Sequence, residues 1–354
     1  MLEHGGRLGR AAHEYGIPRE SWLDLSTGVS PYAWPVHPVP PSAWHRLPED
    51  DDGLLAAART YYGTQHLLPV AGSQAAIAAL PRLRPPSRVA VVEPGYREHA
   101  HAWRQAGHDV VTLPTDEILT RAEEFDVVVL IRPNNPTGMS LDRELILSSL
   151  VGARPARDRF SRGAPGRVAS GPKTCRAQGA LLQGQPWLVV DEAFIDARPG
   201  ESLAPYVREG LIVLRSIGKF FGLAGARAGF VAAWPELLDA LAETLGPWTL
   251  GGPTRHVVTQ ALSDRTWQAS ARVWLRETSS RLAALLTQRG LPPTGGCEFF
   301  QYCEHPEAEA LHRALAGRAI LVRHFDAPQA LRFGIPVDDE AFARLDRALA
   351  GALA

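Results

Sequence analysis

The chain has 354 residues, 45% of them hydrophobic, and its 37 basic and 38 acidic residues give a formal net charge of -1. This length allows a large core and about two domains, whereas the balanced charge gives no one-sign field that would attract nucleic acid or an anionic membrane. A charged start, no long apolar stretch and three cysteines without metal-ligand spacing (Cys175, Cys297 and Cys303) predict a cytoplasmic protein with no membrane partner, no metal site and no disulfide framework.

Short apolar runs alternate with helical patterns over the first two thirds of the chain. The strand candidates are Arg88 to Glu93, Asp109 to Leu113, Phe125 to Ile131, Trp187 to Asp191 and Leu211 to Arg215. Their continuous apolarity is typical of strands buried on both faces, which predicts an α/β fold with a mostly parallel central sheet. Helices are predicted at Ser73 to Leu83, Tyr96 to Ala106 and Pro235 to Leu245.

After about Gly246 the pattern changes to that of a smaller α+β domain. Arg255 to Arg289 is predicted as one long amphipathic helix, and a strand candidate follows at Ala319 to Arg323, then LRFGI and a closing helix. The predicted division is therefore an N-terminal arm (1–30) that contributes to the small domain and the active site, a large domain (31–245) and a small domain (246–354).

The segment from Val151 to Pro186 departs from both patterns. It carries seven basic residues against one acidic, with many glycines and prolines. Such composition predicts a disordered basic insertion, because little apolar surface is available to offset the entropy of ordering. A tether for nucleic acid is an alternative that the overall charge does not favour.

Polar residues follow three of the predicted strands. Asn135 comes after the third strand, Asp191 ends the fourth, and Ser216 and Lys219 follow the fifth. Because ligands of open α/β sheets bind beyond the carboxyl ends of the strands, we expect these side chains at one edge of the sheet. Each alone has an ordinary explanation: Asn135 as a turn residue, Asp191 as a helix cap and Lys219 as a solvated helix residue.

Together these residues suit the chemistry of pyridoxal phosphate, which needs an amine for a Schiff base, a carboxylate on the pyridine nitrogen and donors for the phosphate. Lys219 offers the amine and Asp191 the carboxylate. The phosphate donors are Ser216, Arg227 and the turn of Gly72, Ser73 and Gln74, which opens a predicted helix. Tyr96 follows a strand and is placed to stack on the cofactor ring, or is an ordinary core aromatic.

The motifs AGSQ, EPGY, PNNPTG, VVDEAF and SIGKFFGLAGARAGF resemble those of the fold-type I, aspartate-aminotransferase-like pyridoxal-phosphate enzymes. The resemblance covers nearly the whole chain outside the insertion. It implies Lys219 as the Schiff-base lysine, Asp191 on the pyridine nitrogen, Asn135 on the ring hydroxyl, Tyr96 as the stacking ring, and Ser216 with Arg227 on the phosphate. It also implies a homodimer with active sites at the subunit interface.

Two N-terminal motifs narrow the resemblance. HGGRLGRAAHEYGI and WLDLSTGVSP are similar to the threonine-phosphate decarboxylases of cobalamin biosynthesis, and Phe194, where many aminotransferases have tyrosine, agrees. This likeness implies decarboxylation of L-threonine O-3-phosphate to (R)-1-amino-2-propanol O-2-phosphate. The implied substrate contacts are His4, Gly5, Gly28 and Asn135, with Arg323 on the phosphate and Arg332 on the carboxylate. The alternative for both arginines is surface charge.

Two other functions stay open from the sequence, and one residue departs from the family pattern. A histidinol-phosphate-type aminotransferase would use the same cofactor residues, and a non-catalytic protein could keep the fold. The family often has Arg-Tyr-Pro where this chain has Arg46-Leu47-Pro48. That tyrosine usually reaches the cofactor phosphate of the neighbouring subunit, a contact that Leu47 cannot make.

Overall fold

The computed structural model describes residues 4–152 and 185–353. The helices are α1 (Leu8–Tyr15), α2 (Ser42–His45), α3 (Leu54–Tyr62), α4 (Ser73–Ala79), α5 (Glu98–Gln105), α6 (Arg143–Gly152), α7 (Ile217–Phe220), α8 (Pro235–Leu245), α9 (Gly252–Ser263), α10 (Arg265–Gln288), α11 (Ala308–Ala316) and α12 (Asp339–Ala352). The strands are β1 (Leu23–Asp24), β2 (Leu67–Val70), β3 (Arg88–Val92), β4 (Asp109–Leu113), β5 (Val127–Ile131), β6 (Trp187–Asp191), β7 (Leu211–Ser216), β8 (Gly229–Ala232), β9 (Gly295–Cys297), β10 (Phe300–Glu304), β11 (Ile320–Leu321), β12 (Arg323–Asp326) and β13 (Gln329–Gly334).

The central sheet has the strand order β2-β8-β7-β6-β5-β3-β4. The five strands β4, β3, β5, β6 and β7 run parallel to one another, whereas β8 is antiparallel to both β7 and β2. Every residue of β5, β6 and β7 is buried, as expected for strands covered on both faces. The five strands predicted from continuous apolar runs are confirmed, and so is the mostly parallel α/β sheet.

The two strands at the β2 edge have no counterpart among the predictions. β2 and β8 are four residues long and pair from Leu67 with Ala232 to Val70 with Gly229. Pro69 lies within β2 and Gly229 begins β8. Proline and glycine are depleted in strands, so these short runs do not show the pattern of the longer strands.

The helix predicted at Pro235 to Leu245 is confirmed as α8, with proline at its first position. The helix predicted from Ser73 is α-helical to Ala79 and continues as a 3₁₀ turn, and the one predicted from Tyr96 begins two residues later, at Glu98.

The prediction of one helix from Arg255 to Arg289 is wrong, because the chain is divided at Asp264 into α9 and α10. The Asp264 carboxylate accepts hydrogen bonds from the backbone N–H of Trp267 at 3.0 Å and from Nε1 of Trp34 at 3.1 Å. Asp264 is therefore the N-cap of a new helix and not a solvent-facing residue within one.

The prediction of one strand from Ala319 to Arg323 is also wrong. Ile320 and Leu321 pair in parallel with Leu23 and Asp24, whereas the strand that starts at Arg323 pairs antiparallel with β13. β13 lies in a second sheet of order β12-β13-β10-β9. The chain thus changes its pairing partner at Val322. Before this residue, β11 pairs with β1 and so connects the N-terminal segment to the C-terminal part of the chain.

The packing of the long helices connects the two cores. Val257 and Leu275 belong to the hydrophobic cluster beside the central sheet, whereas Leu282 and Leu286 belong to the cluster of the second sheet. Leu25 of the N-terminal segment also packs in that second cluster. α10 therefore spans both cores.

Most of the predicted insertion, residues 153–184, lies outside the described residues. Before it, α6 extends to Gly152, and after it the chain enters β6 at Trp187. Among the described helices, none has both the length and the apolar content needed to cross a lipid bilayer. Within 4–152 and 185–353, no three or more His, Cys, Asp or Glu side chains are grouped so that they could hold a metal ion.

Candidate active site

A cavity opens at the carboxyl ends of β5, β6 and β7. The residues that line it are Gly72, Ser73, Gln74, Tyr96, Ile131, Asn135, Asp191, Ala193, Phe194, Ser216, Lys219 and Arg227. The set contains every residue that the sequence indicated for a cofactor. The structure thus brings together side chains separated by up to 155 positions (Gly72 to Arg227).

The sheet itself positions the side chains in the middle of this cavity. Ile131 at the end of β5 is paired in register with Asp191 at the end of β6, and Asp191 with Leu214 of β7. Ser216 ends β7, and α7 follows at once and carries Lys219. The parallel register therefore sets the carboxylate, the hydroxyl and the amine side by side.

Lys219 lies in an environment that disfavours its charged form. Burial, together with the positive charges of Arg332 and Arg227, lowers its pKa to about 8, against the opposing effect of Asp191. Its Nζ is 5.3 Å from the ring centroid of Phe194. Lys219 is thus not a solvated helix residue, and its amine loses a proton more readily than that of an ordinary lysine.

Asp191 is buried and makes two hydrogen bonds. Its Oδ2 is 2.9 Å from Nε2 of His99, and its Oδ1 accepts the backbone N–H of Ala193 at 3.0 Å. It caps no helix, since the next helical turn begins at Ile195. His99, itself buried, is a site residue that the sequence analysis missed. A signal existed, because His99 follows Tyr96 by three positions, a spacing that places two side chains on one face of a helical turn.

Close backbone packing shapes the end of the cavity near α4. Gly72 has φ +77, and a Cβ built on it would lie 2.8 Å from Nη2 of Arg227. A Cβ on Gly229 would lie 2.8 Å from the backbone N of Ser73. A side chain at either position would therefore displace Arg227 or the start of α4. The result is a cradle of N–H, hydroxyl and guanidinium donors.

Tyr96 lies both at the cavity and against the core. It lines the cavity, and it also packs against the two hydrophobic clusters on either side of the central sheet. Its hydroxyl donates to Oε1 of Gln74 at 3.1 Å. Burial, with the nearby carboxylates of Glu98 and Asp191, raises the pKa of Tyr96 to about 12, so the phenol stays protonated.

Arg332 is buried and therefore not a surface charge. It donates to Oδ1 of Asn135 through Nη1 and to the carbonyl oxygen of Ser26 at 2.9 Å through Nη2. Its Nε is buried and has no hydrogen-bond partner among the described residues. Burial and the charge of Arg323 lower the pKa of Arg332 to about 10.

Arg323 is the cross-strand neighbour of Arg332. The two are paired in register on the antiparallel strands β12 and β13, and the Arg323 guanidinium lies 5.3 Å from the ring centroid of Phe325. Like charges directly opposite each other in such a pair are destabilising. An anion bound at this pair would offset that repulsion.

The N-terminal arm reaches the rim of the cavity. Nε2 of His4 lies 2.7 Å from Oε1 of Glu98, and the His4 ring is 5.8 Å from the ring of Tyr96. A Cβ on Gly5 would lie 2.2 Å from the carbonyl oxygen of Ser26, and one on Gly28 would lie 2.8 Å from the Phe194 ring. Both glycines thus allow contacts that a side chain would block.

The predicted substrate residues therefore differ in how directly they meet the cavity. Asn135 lines it, and Arg332, His4 and Gly28 contact residues that line it. Gly5 packs on Ser26, and Arg323 is connected to the cavity through Arg332. Leu47 is 63% exposed and is not part of the lining.

The sequence matches the family described as aminotransferase class I and II over residues 24–148 and 180–349. It is 49% identical to the threonine-phosphate decarboxylase of Pseudomonas aeruginosa over 99% of this chain and 98% of that protein. It is 39% identical to the threonine-phosphate decarboxylase of a Sinorhizobium species over 100% of this chain and 98% of that protein.

A solved structure shows the same fold at low sequence identity. The histidinol-phosphate aminotransferase of Sinorhizobium meliloti, in complex with pyridoxal-5'-phosphate, superposes with a TM-score of 0.76 at 18% identity. The superposition covers 99% of this chain and 95% of that one. At this identity the likeness supports the fold and carries nothing about the substrate.

Proposed function

The chain belongs to the class I and II aminotransferase family, and we propose that it is a pyridoxal-phosphate-dependent decarboxylase that converts L-threonine O-3-phosphate to (R)-1-amino-2-propanol O-2-phosphate. The names of the two full-length relatives support this activity. The structural observation that carries it is the pair formed by Arg323 and Arg332, since the substrate brings two anionic groups, a phosphate and a carboxylate.

The cavity fits pyridoxal phosphate by the chemistry of its donors. Lys219, with a lowered pKa, is the amine for the aldehyde, and Asp191 is the carboxylate for the pyridine nitrogen. The cradle at Gly72 suits the phosphate, with Ser73, Gln74, Ser216 and Arg227 as further donors. Asn135 is assigned to the ring hydroxyl and Tyr96 to the ring face. When bound, the cofactor withdraws electrons from the bonds at the substrate α-carbon.

Substrate binding is assigned to guanidinium groups. Arg332 would hold the carboxylate and Arg323 the phosphate, because the planar fork of arginine binds both groups in two-point contacts. His4, Gly5 and Gly28 would form the rim around the bound substrate. An anion bound by both arginines would also offset the repulsion between their like charges.

The choice of reaction depends on which bond at the α-carbon the protein favours. Arg332 fixes the carboxylate and thereby orients the bond that carries it, a positioning effect worth several kcal/mol. Release of carbon dioxide leaves a carbon that needs one proton, and Lys219 would deliver that proton from Nζ. Beside Lys219, Phe194 presents only an apolar ring and lacks the hydroxyl that a tyrosine would have.

A histidinol-phosphate-type aminotransferase is the second candidate, because it would use the same cofactor residues. It would need Lys219 to remove the α-hydrogen. A non-catalytic role is the third candidate and requires that no cofactor be bound. The buried, pKa-lowered Lys219 beside Asp191 argues against it.

A product assay separates the candidates. The purified protein, loaded with pyridoxal phosphate and given L-threonine O-3-phosphate alone, should release carbon dioxide and need no keto acid. Lys219→Ala should abolish both the visible absorbance of the bound cofactor and the release. Accumulation of pyridoxamine phosphate, with activity on histidinol phosphate, would establish the aminotransferase instead. Wild-type protein without cofactor absorbance would leave the non-catalytic role.

The proposal includes a homodimer in the cytoplasm, with a role in cobalamin biosynthesis. Three exposed apolar side chains support the dimer: Trp44, Leu47 and Trp248 are each more than half exposed. α2 lies against the start of α9, where a Cβ on Gly252 would be 2.2 Å from the carbonyl oxygen of Ala43. Large apolar side chains that are this exposed are suited to burial against another protein surface.

A further inference from the structure

Glu98, the first residue of α5, contacts two different parts of the chain through its two carboxylate oxygens. Oε1 lies 2.7 Å from Nε2 of His4 in the N-terminal arm. Oε2 accepts from Nε2 of Gln74 at 3.2 Å, and Oε1 of Gln74 accepts from the Tyr96 hydroxyl. One carboxylate thus links the arm to two residues that line the cavity.

The placement of this charge is unusual for a site that receives anions. The side chain of Glu98 is only 17% exposed, and an unpaired carboxylate here would be costly and would repel a phosphate. Both of its oxygens are instead engaged, by an imidazole and by an amide N–H group. The Glu98 carboxylate therefore interacts with His4 and Gln74 of this chain, and we assign it no contact with the substrate.

The arm has a second anchor on the opposite side. The backbone N–H of Gly6 donates to Oγ of Ser26 at 2.8 Å, and the carbonyl oxygen of Ser26 accepts from Arg332. Residues 4–6 therefore run from the Arg332 side of the cavity to the Glu98 side. Without Glu98 the arm would keep the anchor at Gly6, but His4 would lose its fixed position.

We propose that Glu98 is a positioning residue that holds His4 at the rim of the cavity, where His4 is assigned to the substrate, and thereby strengthens substrate binding. The effect on substrate binding rests on the proposed function, whereas the hold on His4 does not. Glu98 acts through His4 and Gln74 and has no assigned contact with substrate.

Steady-state kinetics on L-threonine O-3-phosphate, with Glu98→Ala, His4→Ala and the double variant, tests the effect on substrate binding. A hydrogen bond to a charged group is worth enough to raise KM roughly tenfold in each single variant, with kcat within about twofold. The double variant should be no worse than either single one, because both remove the same interaction. Glu98→Gln, which keeps an oxygen acceptor, should recover part of the loss. Glu243→Gln, an exposed carboxylate on α8, is the matched control and should match wild type.

Hydrogen exchange of the pyridoxal-phosphate-loaded protein tests the hold on His4 without turnover. Glu98→Ala should speed exchange in a peptide covering residues 4–8, and Glu243→Gln should not, while the visible cofactor absorbance stays at the wild-type wavelength in both. Unchanged exchange in Glu98→Ala, or additive effects in the double variant, would overturn the proposal. A fall of kcat in Glu98→Ala as large as the rise of KM, together with loss of the cofactor, would also overturn it, because it would indicate a purely structural role. If wild type does not act on threonine phosphate, the proposed function and the effect on substrate binding fail, and exchange alone decides whether Glu98 holds the arm.

Discussion

In the cofactor-free protein, the buried positive charge of Lys219 lowers the stability of the fold. Its pKa is about 8 in the folded chain, against 10.5 for an ordinary lysine. Below pH 8 the amine is charged in both the folded and the unfolded chain, so the full cost of the buried charge is present. Between the two pKa values the folded chain binds fewer protons than the unfolded one, and stability rises with pH.

Replacing this amine should therefore stabilise the cofactor-free protein at neutral pH. We expect Lys219→Met to raise the free energy of unfolding at pH 7 by up to about 3 kcal/mol, with an advantage that shrinks as pH rises from 8 towards 10. Urea denaturation of the apoprotein across this range measures it. Arg104→Met, at an exposed position of α5, is the control. An advantage independent of pH would contradict the assignment of the effect to the amine.

The buried contact between His99 and Asp191 gives a second prediction. His99→Ala leaves the Asp191 carboxylate with one hydrogen bond fewer, and we expect pyridoxal phosphate to bind roughly tenfold more weakly. Equilibrium titration followed by visible absorbance measures the affinity. His108 is a matched control, because it is buried too but bonds the backbone of Ser87 and Pro81. His108→Ala should lower stability and leave cofactor affinity unchanged; equal weakening in both variants would refute the specific role.

At the scale of single residues, the sequence predicts best where a side chain follows a strand. Asp191, Ser216 and Lys219 come directly after apolar runs, so a general rule for α/β sheets places them at one edge. His99 and Glu98 carry no such signal. Their partners, Asp191 and His4, are 92 and 94 positions away, and only the folded chain shows that they meet.

At the scale of elements, alternation along the strands gives neighbouring residues different roles. Asp191 and Ser216 line the cavity, and the residues beside them, Glu192 and Arg215, form a buried ion pair at 2.9 Å. Arg215 also bonds Asp196 at 2.5 Å. Because successive side chains of a strand point to opposite faces, this ion pair ties together the ends of β6 and β7 from behind the cavity.

The break between α9 and α10 gives a prediction on stability. Asp264→Ala removes the cap of α10 and the partner of Trp34 Nε1, and we expect a loss of about 1 to 3 kcal/mol. Urea denaturation monitored by circular dichroism measures it. The neighbouring Ser263→Ala, an exposed position, should cost less than about 0.5 kcal/mol. Equal stability of Asp264→Ala and wild type would mean that the cap does not hold this boundary.

The same break shows why element boundaries were the weaker part of the prediction. The amphipathic pattern runs through Asp264 without interruption, and a carboxylate there is also compatible with the solvent face of one helix. What selects the cap is Trp34, which lies 230 positions earlier. The boundary at Val322 has the same kind of cause. The strand before it pairs with β1 and the strand after it pairs with β13, in two different sheets.

At the scale of the whole molecule, the predicted division into an arm (1–30), a large domain (31–245) and a small domain (246–354) stays a prediction. The packing favours a boundary within α10, because Leu275 packs beside the central sheet and Leu282 beside the second sheet. A helix that belongs to both cores is a stiff connection. Movement of one domain against the other would then be carried by a bend of α10 or by its flanking loops.

The proposed homodimer gives a prediction at this scale. Trp44→Asp introduces a charge at an exposed apolar position. We expect this variant to be monomeric at micromolar concentration, where the wild type is a dimer. Analytical ultracentrifugation measures the state. Val337→Asp, at an exposed apolar position before α12, should remain dimeric. A monomeric wild type would refute the homodimer, and a dimeric Trp44→Asp would place its interface elsewhere.

The position of His4 at the cavity rim has a practical consequence for anyone who purifies this protein. A polyhistidine tag fused before Met1 would carry extra imidazoles three residues from His4, where they can compete for the Glu98 carboxylate. A tag placed after Ala354 would instead follow α12, which packs on the cluster of the second sheet. Activities measured with the two tags should therefore be compared before the behaviour of the arm is interpreted.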